Sequence, residues 1–301
     1  MICAGLILEK KLFARLWLLI SAGSENLARP RSKSVLPRIF TTLVAVPVIL
    51  ACIYTGGAVF LVLVLVLAVF SINEFYNMMQ KKDFHPAYWL GNFFTLFFII
   101  FAYYALRKNW EPAHSAILTG SALATMVATL FLKQRPKEAI VDIAVTLLGM
   151  IYIGWFFSYF LFIRALNDGS AYMFFLCGTI WALDVVAYLV GSRFGRHRLF
   201  PSVSPKKSIE GALAGFAVCL IAAGVFGYYA GFSLLHSLVL GGLLGVVAQV
   251  SDLVESLIKR DVGVKDSGAI LPGHGGFLDR MDSFILTAPV MYYYLVWVIL
   301  K

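Results

Sequence analysis

Long apolar runs dominate the chain and are separated by short polar segments. Each run approaches the roughly 20 residues that an α-helix needs to cross about 30 Å of hydrocarbon. Because a helix satisfies its own backbone hydrogen bonds in lipid, these runs predict membrane-spanning helices. The sequence therefore predicts an all-α, polytopic integral membrane protein with about nine transmembrane helices. The candidate spans lie at roughly 39–54, 58–78, 88–106, 113–132, 140–163, 171–190, 211–229, 234–258 and 284–300.

Basic residues are distributed unequally between the two faces that these spans define. With the amino terminus in the cytoplasm, 21 of the 25 Lys and Arg residues fall in cytoplasmic segments. Cytoplasmic loops of membrane proteins carry such an excess. We therefore expect the polar segments 191–210 and 259–280 to emerge on the same cytoplasmic face of the cell inner (plasma) membrane. The net charge of +9 is assigned to these loops and to anionic membrane lipids, so no nucleic-acid partner is expected.

Composition supports the membrane assignment and limits other site chemistry. Of the 301 residues, 60% are hydrophobic and 14% are charged, and the mean hydropathy is +0.85. The four cysteines form no CxxC pair, which argues against a zinc site or a disulfide framework. Charged residues interrupt the apolar run within residues 1–35. We therefore expect this segment to be an amino-terminal arm that is either interfacial or dispensable. Residues 36–301 predict a single membrane domain.

The segment from Asp252 to Asp282 holds six of the sixteen carboxylates of the chain. Asp252 and Lys259 share one stripe of the eighth span, Glu255 flanks that stripe, and Asp279 and Asp282 share a face of the ninth. Because the two spans are antiparallel neighbours, we expect the three aspartates to converge. Carboxylate oxygens suit Mg²⁺. The alternative is a salt-bridge network of these aspartates with Lys259, Lys265 and Arg280.

Further polar residues accompany this segment. Asp184 in the sixth span predicts either a catalytic or metal-binding role or a structural hydrogen bond. Lys206 and Lys207 precede the seventh helix, and Ser208 is its predicted cap. The two lysines indicate either a phosphate site or a plain positive-inside anchor. His274, in the glycine-rich run 273–276, is a candidate phosphate or base ligand or a structural donor. Glu74, at the cytoplasmic end of the second span, is interpreted as structural.

Three motifs together resemble the CDP-diacylglycerol synthase (phosphatidate cytidylyltransferase) family. The stretch from Ser256 to Asp282 reads S-x-x-K-R, four residues, K-D, then P-x-H-G-G-x-x-D-R-x-D. Upstream lie W-x-x-D-x-x-A-Y-x-x-G from Trp181 and S-P-K-K-S-x-E-G from Ser204, in the order of the family. The resemblance covers about 181–283. The arm before Val35 is atypical for the family, and Ser208 stands where threonine is common.

The resemblance implies an enzyme that transfers the cytidylyl group of CTP to phosphatidic acid in phospholipid biosynthesis, giving CDP-diacylglycerol and pyrophosphate. It implies Mg²⁺ as cofactor, with a second cation left open, and homodimer formation also stays open. The expected catalytic residues are Asp252, Lys259, Asp279 and Asp282. The expected metal ligands are Asp252, Asp279 and Asp282, with Asp184 and Glu255 as further candidates. The expected substrate-binding residues are Lys206, Lys207, Ser208, Arg260, Lys265, Asp266, His274, Gly275, Gly276 and Arg280.

The acceptor chemistry fits these residues independently of the resemblance. A phosphate monoester is already negatively charged at neutral pH, so its attack needs no strong general base. The difficulty is to bring two polyanions together, which positioning and electrostatics can achieve. Alternative functions are another CTP-using lipid enzyme, either a CTP-dependent lipid kinase or a CDP-alcohol phosphotransferase, and an anion transporter.

Overall fold

A computed structural model describes residues 35–105, 112–132, 138–270 and 275–301, without the side chains of 35–42, 112–115 and 132. Residues 1–34 of the predicted arm and His274 therefore lie outside the described residues. The described residues form nine helices and one small two-stranded sheet. The elements are α1 (Val35–Thr55), α2 (Gly57–Gln80), α3 (Tyr88–Ala105), α4 (Pro112–Leu132), α5 (Ala139–Ala165), α6 (Gly169–Phe194), β1 (Arg198–Phe200), β2 (Ser204–Ser208), α7 (Ile209–Tyr229), α8 (Leu234–Asp261) and α9 (Leu278–Ile299).

Most of these helices have the length and composition of membrane spans. Within the described residues, seven helices, α2, α3 and α5 to α9, are long and apolar enough to cross a membrane. The apolar stretches described in α1 and α4 are shorter, at Leu43–Thr55 and Ala116–Phe131. Large apolar side chains face outward, among them Ile140 at 84% exposed. The all-α polytopic fold is therefore confirmed, whereas the count of nine spans stays a prediction.

The two polar segments that the topology placed on one face do meet at one end of the helix bundle. The Arg260 guanidinium, at the end of α8, donates to the Val203 carbonyl in the β1–β2 turn at 3.1 Å. At the same end, Lys82 of the α2–α3 turn pairs with Asp261 at 2.7 Å. These contacts confirm that the segments share one end, which we call the polar end.

The sheet is a short antiparallel hairpin between α6 and α7, in which Arg198 lies opposite Ser208. The pattern of apolar residues does not predict this hairpin, because its strands are brief and rich in charge. The hairpin presents Lys206 and Lys207 immediately before α7. The Ser208 hydroxyl accepts from the Gly211 N–H at 3.2 Å, which confirms Ser208 as the cap of α7.

Small residues allow α6 and α7 to pack closely. A Cβ placed on Gly211 would lie 2.7 Å from the Ala187 carbonyl oxygen, and one on Gly215 would lie 2.9 Å from the Ala187 Cβ. Helices with such small residues at their interface bring their backbones into close contact. This packing fixes α6, which carries Asp184, beside the hairpin that carries Lys207.

Two of the long helices depart from regular α geometry. Helix α5 contains a π-helical segment, Met150–Trp155, and α9 ends in another, Leu295–Ile299. The Tyr76 hydroxyl of α2 donates to the Thr146 carbonyl just before the first π segment at 2.9 Å. Since π segments frequently occur at functional sites, the environment of Met150–Trp155 is relevant to the site described next.

Candidate active site

One buried ion network joins α8 to the start of α9. Glu255 and Lys259 stand four residues apart on α8 and form an ion pair. The Lys259 ammonium also lies 2.6 Å from Oδ1 of Asp279. All three are buried, with Glu255 at 1% exposed and both Lys259 and Asp279 at 8%. One cation therefore serves two carboxylates in this network, which we call the inner network.

Backbone donors hold the Asp279 carboxylate as well. The Gly276 N–H donates to its Oδ2 at 2.8 Å, and the Ser267 N–H donates to the same oxygen at 3.0 Å. Gly275 adopts φ of 85°, in the left-handed region that glycine occupies without strain. Asp279 thus closes the α8–α9 loop onto α8.

Glu74 of α2 anchors the same loop from the other side. Its carboxylate accepts from the Phe277 N–H at 3.0 Å and from the Leu278 N–H at 2.9 Å, so it caps the exposed donors at the start of α9. It also accepts from the Ser267 hydroxyl at 2.9 Å. A side chain on Gly276 would collide with the Glu74 carboxylate, which explains why glycine occupies that position. The structural interpretation of Glu74 agrees with these contacts.

A second group of carboxylates forms beside the inner network, from three helices. Asp184 of α6, Asp252 of α8 and Asp282 of α9 lie close enough to repel one another electrostatically, and Glu255 of the inner network also repels Asp282. Each is partly buried. The Ser283 hydroxyl donates to Asp184 at 3.3 Å, and the Ser256 hydroxyl lies 3.5 Å from Asp252. We call these three aspartates the outer cluster.

The outer cluster carries more negative than positive charge. Lys207 of β2 pairs with Asp252 Oδ2 at 2.5 Å. The exposed Arg280 adds a favourable interaction with Asp184. Like charges that converge in a partly desolvated site are unfavourable without a cation or a polar ligand among them. The outer cluster therefore has the charge balance and the hard oxygen donors that suit a divalent cation.

The structure divides the three aspartates that the sequence predicted to converge. Asp252 and Asp282 come together and are joined by Asp184, whereas Asp279 belongs to the inner network with Glu255. Within the ranges that the structure describes, no group of three or more His, Cys, Asp or Glu side chains has the geometry of a preformed metal site. The assignment of metal ligands consequently stays a prediction.

The predicted substrate-binding residues are spread over the polar end. Arg260 ties the hairpin to the α8–α9 loop, since its guanidinium also donates to the Val264 carbonyl at 3.2 Å. Those predicted substrate-binding residues that are exposed can contact a ligand from solution. They are Lys206, Arg260, Lys265, Asp266 and Arg280.

One residue near the site carries no signal in the sequence. Tyr152 lies in an apolar run of α5, and carboxylates of α8 and α9 are near enough to interact electrostatically with its hydroxyl. The spacing of polar residues cannot identify it, because its neighbours in the sequence are apolar. The surroundings of its hydroxyl emerge only from the packing of α5 against the other helices.

The fold and the site together define a polytopic helical membrane protein whose charged residues gather at one end of the bundle. Residues 36–298 match the model of the cytidylyltransferase family, so the chain belongs to this family. Phosphatidate cytidylyltransferase of Bacillus subtilis (strain 168) is 33% identical over 261 residues, which cover 86% of this chain and 96% of that protein.

Two further relatives carry the same name. Phosphatidate cytidylyltransferase of Staphylococcus haemolyticus (strain JCSC1435) is 32% identical over 256 residues, covering 84% of this chain and 96% of that protein. The protein of that name from Synechocystis sp. (strain ATCC 27184 / PCC 6803 / Kazusa) is 31% identical over 292 residues, covering 86% and 96%. The similarity therefore extends well beyond the motifs between Trp181 and Asp282.

Proposed function

We propose that this chain is a phosphatidate cytidylyltransferase, which forms CDP-diacylglycerol and pyrophosphate from CTP and phosphatidic acid. The observation that carries this proposal is its similarity over most of its length to relatives of that name. The polar end supports it, because it combines an acidic outer cluster with several cations. This combination suits a reaction between two polyanions at a membrane surface.

The reaction requires positioning more than proton transfer. An oxygen of the lipid phosphate attacks the α-phosphorus of CTP, and the bond from that phosphorus to the bridging β-phosphate oxygen breaks. Pyrophosphate leaves with the electron pair of that bond. Since the attacking phosphate monoester is already ionised, no side chain has to act as a strong base.

The two charged groups take different parts in this proposal. Asp184, Asp252 and Asp282 would hold Mg²⁺, which, when bound, neutralises phosphate charge and supports departure of pyrophosphate. Lys207 lies at the edge of this cluster and binds phosphate oxygens there. The inner network positions the first turn of α9, so that Asp282 faces Asp252.

The location of the site fits the lipid substrate. Each buried CH₂ contributes about 0.8 kcal/mol to membrane retention, so the acyl chains of phosphatidic acid stay in the bilayer while its phosphate reaches the polar end. The excess of basic residues supports a cytoplasmic orientation of that end, in the inner membrane.

The decisive assay uses the purified, reconstituted protein with α-labelled CTP and phosphatidic acid, with and without Mg²⁺. Labelled CDP-diacylglycerol together with pyrophosphate supports the proposal, and its absence rejects it. Release of CDP with no labelled lipid identifies a CTP-dependent kinase instead. Uptake of anions into liposomes without nucleotide turnover identifies a transporter.

Aspartate variants separate metal binding from structural support. Asp282→Asn is expected to lose most Mg²⁺-dependent activity while remaining folded, because it relieves repulsion in the outer cluster. Asp279→Asn is expected to lose stability first, since it weakens the ion pair with Lys259. Asp168→Asn, an exposed change before α6 at the opposite end, is the control. Normal activity and Mg²⁺ dependence in Asp282→Asn would reject the assignment of that ligand.

A further inference from the structure

Tyr152 is a buried tyrosine whose hydroxyl makes no hydrogen bond among the described residues. Only 3% of the residue is exposed. A buried hydroxyl without a partner is unfavourable, and most buried side-chain polar atoms in proteins are paired. The hydroxyls of Ser71 and Thr95 share this condition among the described residues, but that of Tyr152 interacts electrostatically with carboxylates of α8 and α9.

Acidic side chains of α8 and α9 lie near the Tyr152 hydroxyl. Glu255, Asp282 and Asp252 all interact electrostatically with it. None of them accepts a hydrogen bond from it, although carboxylates are strong acceptors. The carboxylates are therefore near enough to interact with the hydroxyl, yet the hydroxyl stays without a hydrogen-bond partner among the described residues.

Helix lengths place Tyr152 and the outer cluster at comparable depth. The α2–α3 turn provides a common reference, since the His85 N–H donates to Asp142 at 2.8 Å and Lys82 of the same turn pairs with Asp261. At 1.5 Å per residue, Tyr152 lies roughly 15 Å along α5 from Asp142, and Asp252 lies roughly 14 Å along α8 from Asp261. The backbone positions of Tyr152 and Asp252 are thus at about the same depth below the polar end.

The π-helical segment and its aromatic neighbours fix the direction of the Tyr152 side chain. The Phe75 ring of α2 lies 6.4 Å from the Tyr152 ring, and Phe156 lies at the same distance along α5. Such packing restricts the ring to one orientation. The hydroxyl of this core residue is therefore oriented before any ligand arrives, which suits a binding group.

We propose that the Tyr152 hydroxyl donates a hydrogen bond to a phosphate oxygen of a substrate bound at the outer cluster. Phosphate oxygens are strong acceptors and would satisfy the donor that the unliganded protein leaves unpaired. This inference rests on the proposed function, which supplies two sources of such an oxygen, CTP and phosphatidic acid. Tyr152 is then a substrate-binding residue that the motifs do not contain.

Tyr152→Phe removes only the oxygen and provides the test. Loss of a hydrogen bond to a charged acceptor is expected to lower kcat/KM by about tenfold to a hundredfold. A rise of KM for CTP alone assigns the bond to the nucleotide, and a rise for phosphatidic acid alone assigns it to the lipid. The melting temperature of the unliganded variant is expected to stay unchanged or to rise, because no hydrogen bond is lost.

The control is Tyr172→Phe, a buried tyrosine that stacks on Phe232 at the opposite end of the bundle. It is expected to keep the wild-type kinetic constants. For Tyr152→Phe, unchanged constants for both substrates would overturn the proposal. A lowered melting temperature with a proportionate loss of activity would also overturn it, since that result indicates a structural role.

Binding measurements separate this inference from the proposed function. Thermal stabilisation by CTP and by phosphatidic acid is measured on the wild type and on Tyr152→Phe, without turnover. Weaker stabilisation of the variant by one of them supports the role of Tyr152, and equal stabilisation by both overturns it. Either result stands even if the wild type forms no CDP-diacylglycerol, an outcome that rejects the proposed function alone.

Discussion

Replacement of Glu74 by glutamine tests how the α8–α9 loop is held in place. The Glu74 carboxylate is 3% exposed, and its two oxygens accept three hydrogen bonds, from the Ser267 hydroxyl and the Phe277 and Leu278 N–H groups. Glutamine keeps the shape but replaces one oxygen by an NH₂ group. Even in the better orientation, that NH₂ faces the Phe277 N–H, so a buried donor loses its acceptor.

The expected cost follows from these contacts. One buried donor without a partner costs about 1–3 kcal/mol. Loss of a negative charge beside the first N–H groups of α9 adds about 0.3–1 kcal/mol. Burial of the Glu74 charge and its repulsion by Asp279 are both unfavourable, and removing them offsets part of the loss. We therefore expect Glu74→Gln to lower the free energy of unfolding by about 2 kcal/mol.

Unfolding by SDS in mixed micelles measures this change, and hydrogen exchange locates it. Exchange is expected to accelerate at the amides of Phe277 and Leu278, which donate to Glu74, and activity is expected to fall because Asp279 and Asp282 follow this loop. Glu138→Gln, which makes the same chemical change at an exposed position before α5, is the control. Wild-type stability and wild-type exchange in Glu74→Gln would refute the anchoring role.

Two further substitutions probe the inner network and the start of α7. Lys259→Met leaves Glu255 and Asp279 buried without their cation and is expected to destabilise the protein by about 3–5 kcal/mol. The yield and the unfolding of the purified variant measure this loss, and wild-type stability would contradict it. Ser208→Ala removes the cap of α7 and is expected to cost about 1 kcal/mol, measured in the same way, while Ser208→Thr keeps the hydroxyl and should retain the stability of the wild type.

The fold was largely predictable from the sequence because each span is encoded locally. An apolar run of about 20 residues must form a helix in lipid whatever its neighbours are. The hydroxyl of Ser208, placed just before an apolar run, likewise predicted a cap through a local rule. The β1–β2 hairpin escaped prediction because its five-residue strand, Ser204–Ser208, is held by pairing across the turn and by contacts with Arg260.

The site was less predictable because its contacts join distant parts of the chain. Spacing placed Asp279 and Asp282 on one face in the first turns of the ninth helix, and α9 does begin at Leu278, but spacing did not show which partners each carboxylate has. Asp279 therefore stands in the first turn, within reach of Lys259 and of loop N–H groups. Identifying Glu74 and Tyr152 requires the tertiary structure still more, since each lies on a helix that is far from the motifs in the sequence.

The division into an inner network and an outer cluster gives the charges at the polar end two separate tasks. In the inner network, Lys259 and backbone donors compensate Asp279, so neutralising that carboxylate removes more stabilisation than repulsion. In the outer cluster, three carboxylates repel one another and Lys207 compensates only part of their charge, so neutralising Asp282 relieves the unliganded protein. We therefore expect neutralisation of Asp279 to destabilise the protein and neutralisation of Asp282 to stabilise it, although the two residues are only three apart. The difference follows from the partners of each carboxylate and not from its position in the motif. Functional sites often retain such unfavourable charge, because a ligand then supplies the missing compensation.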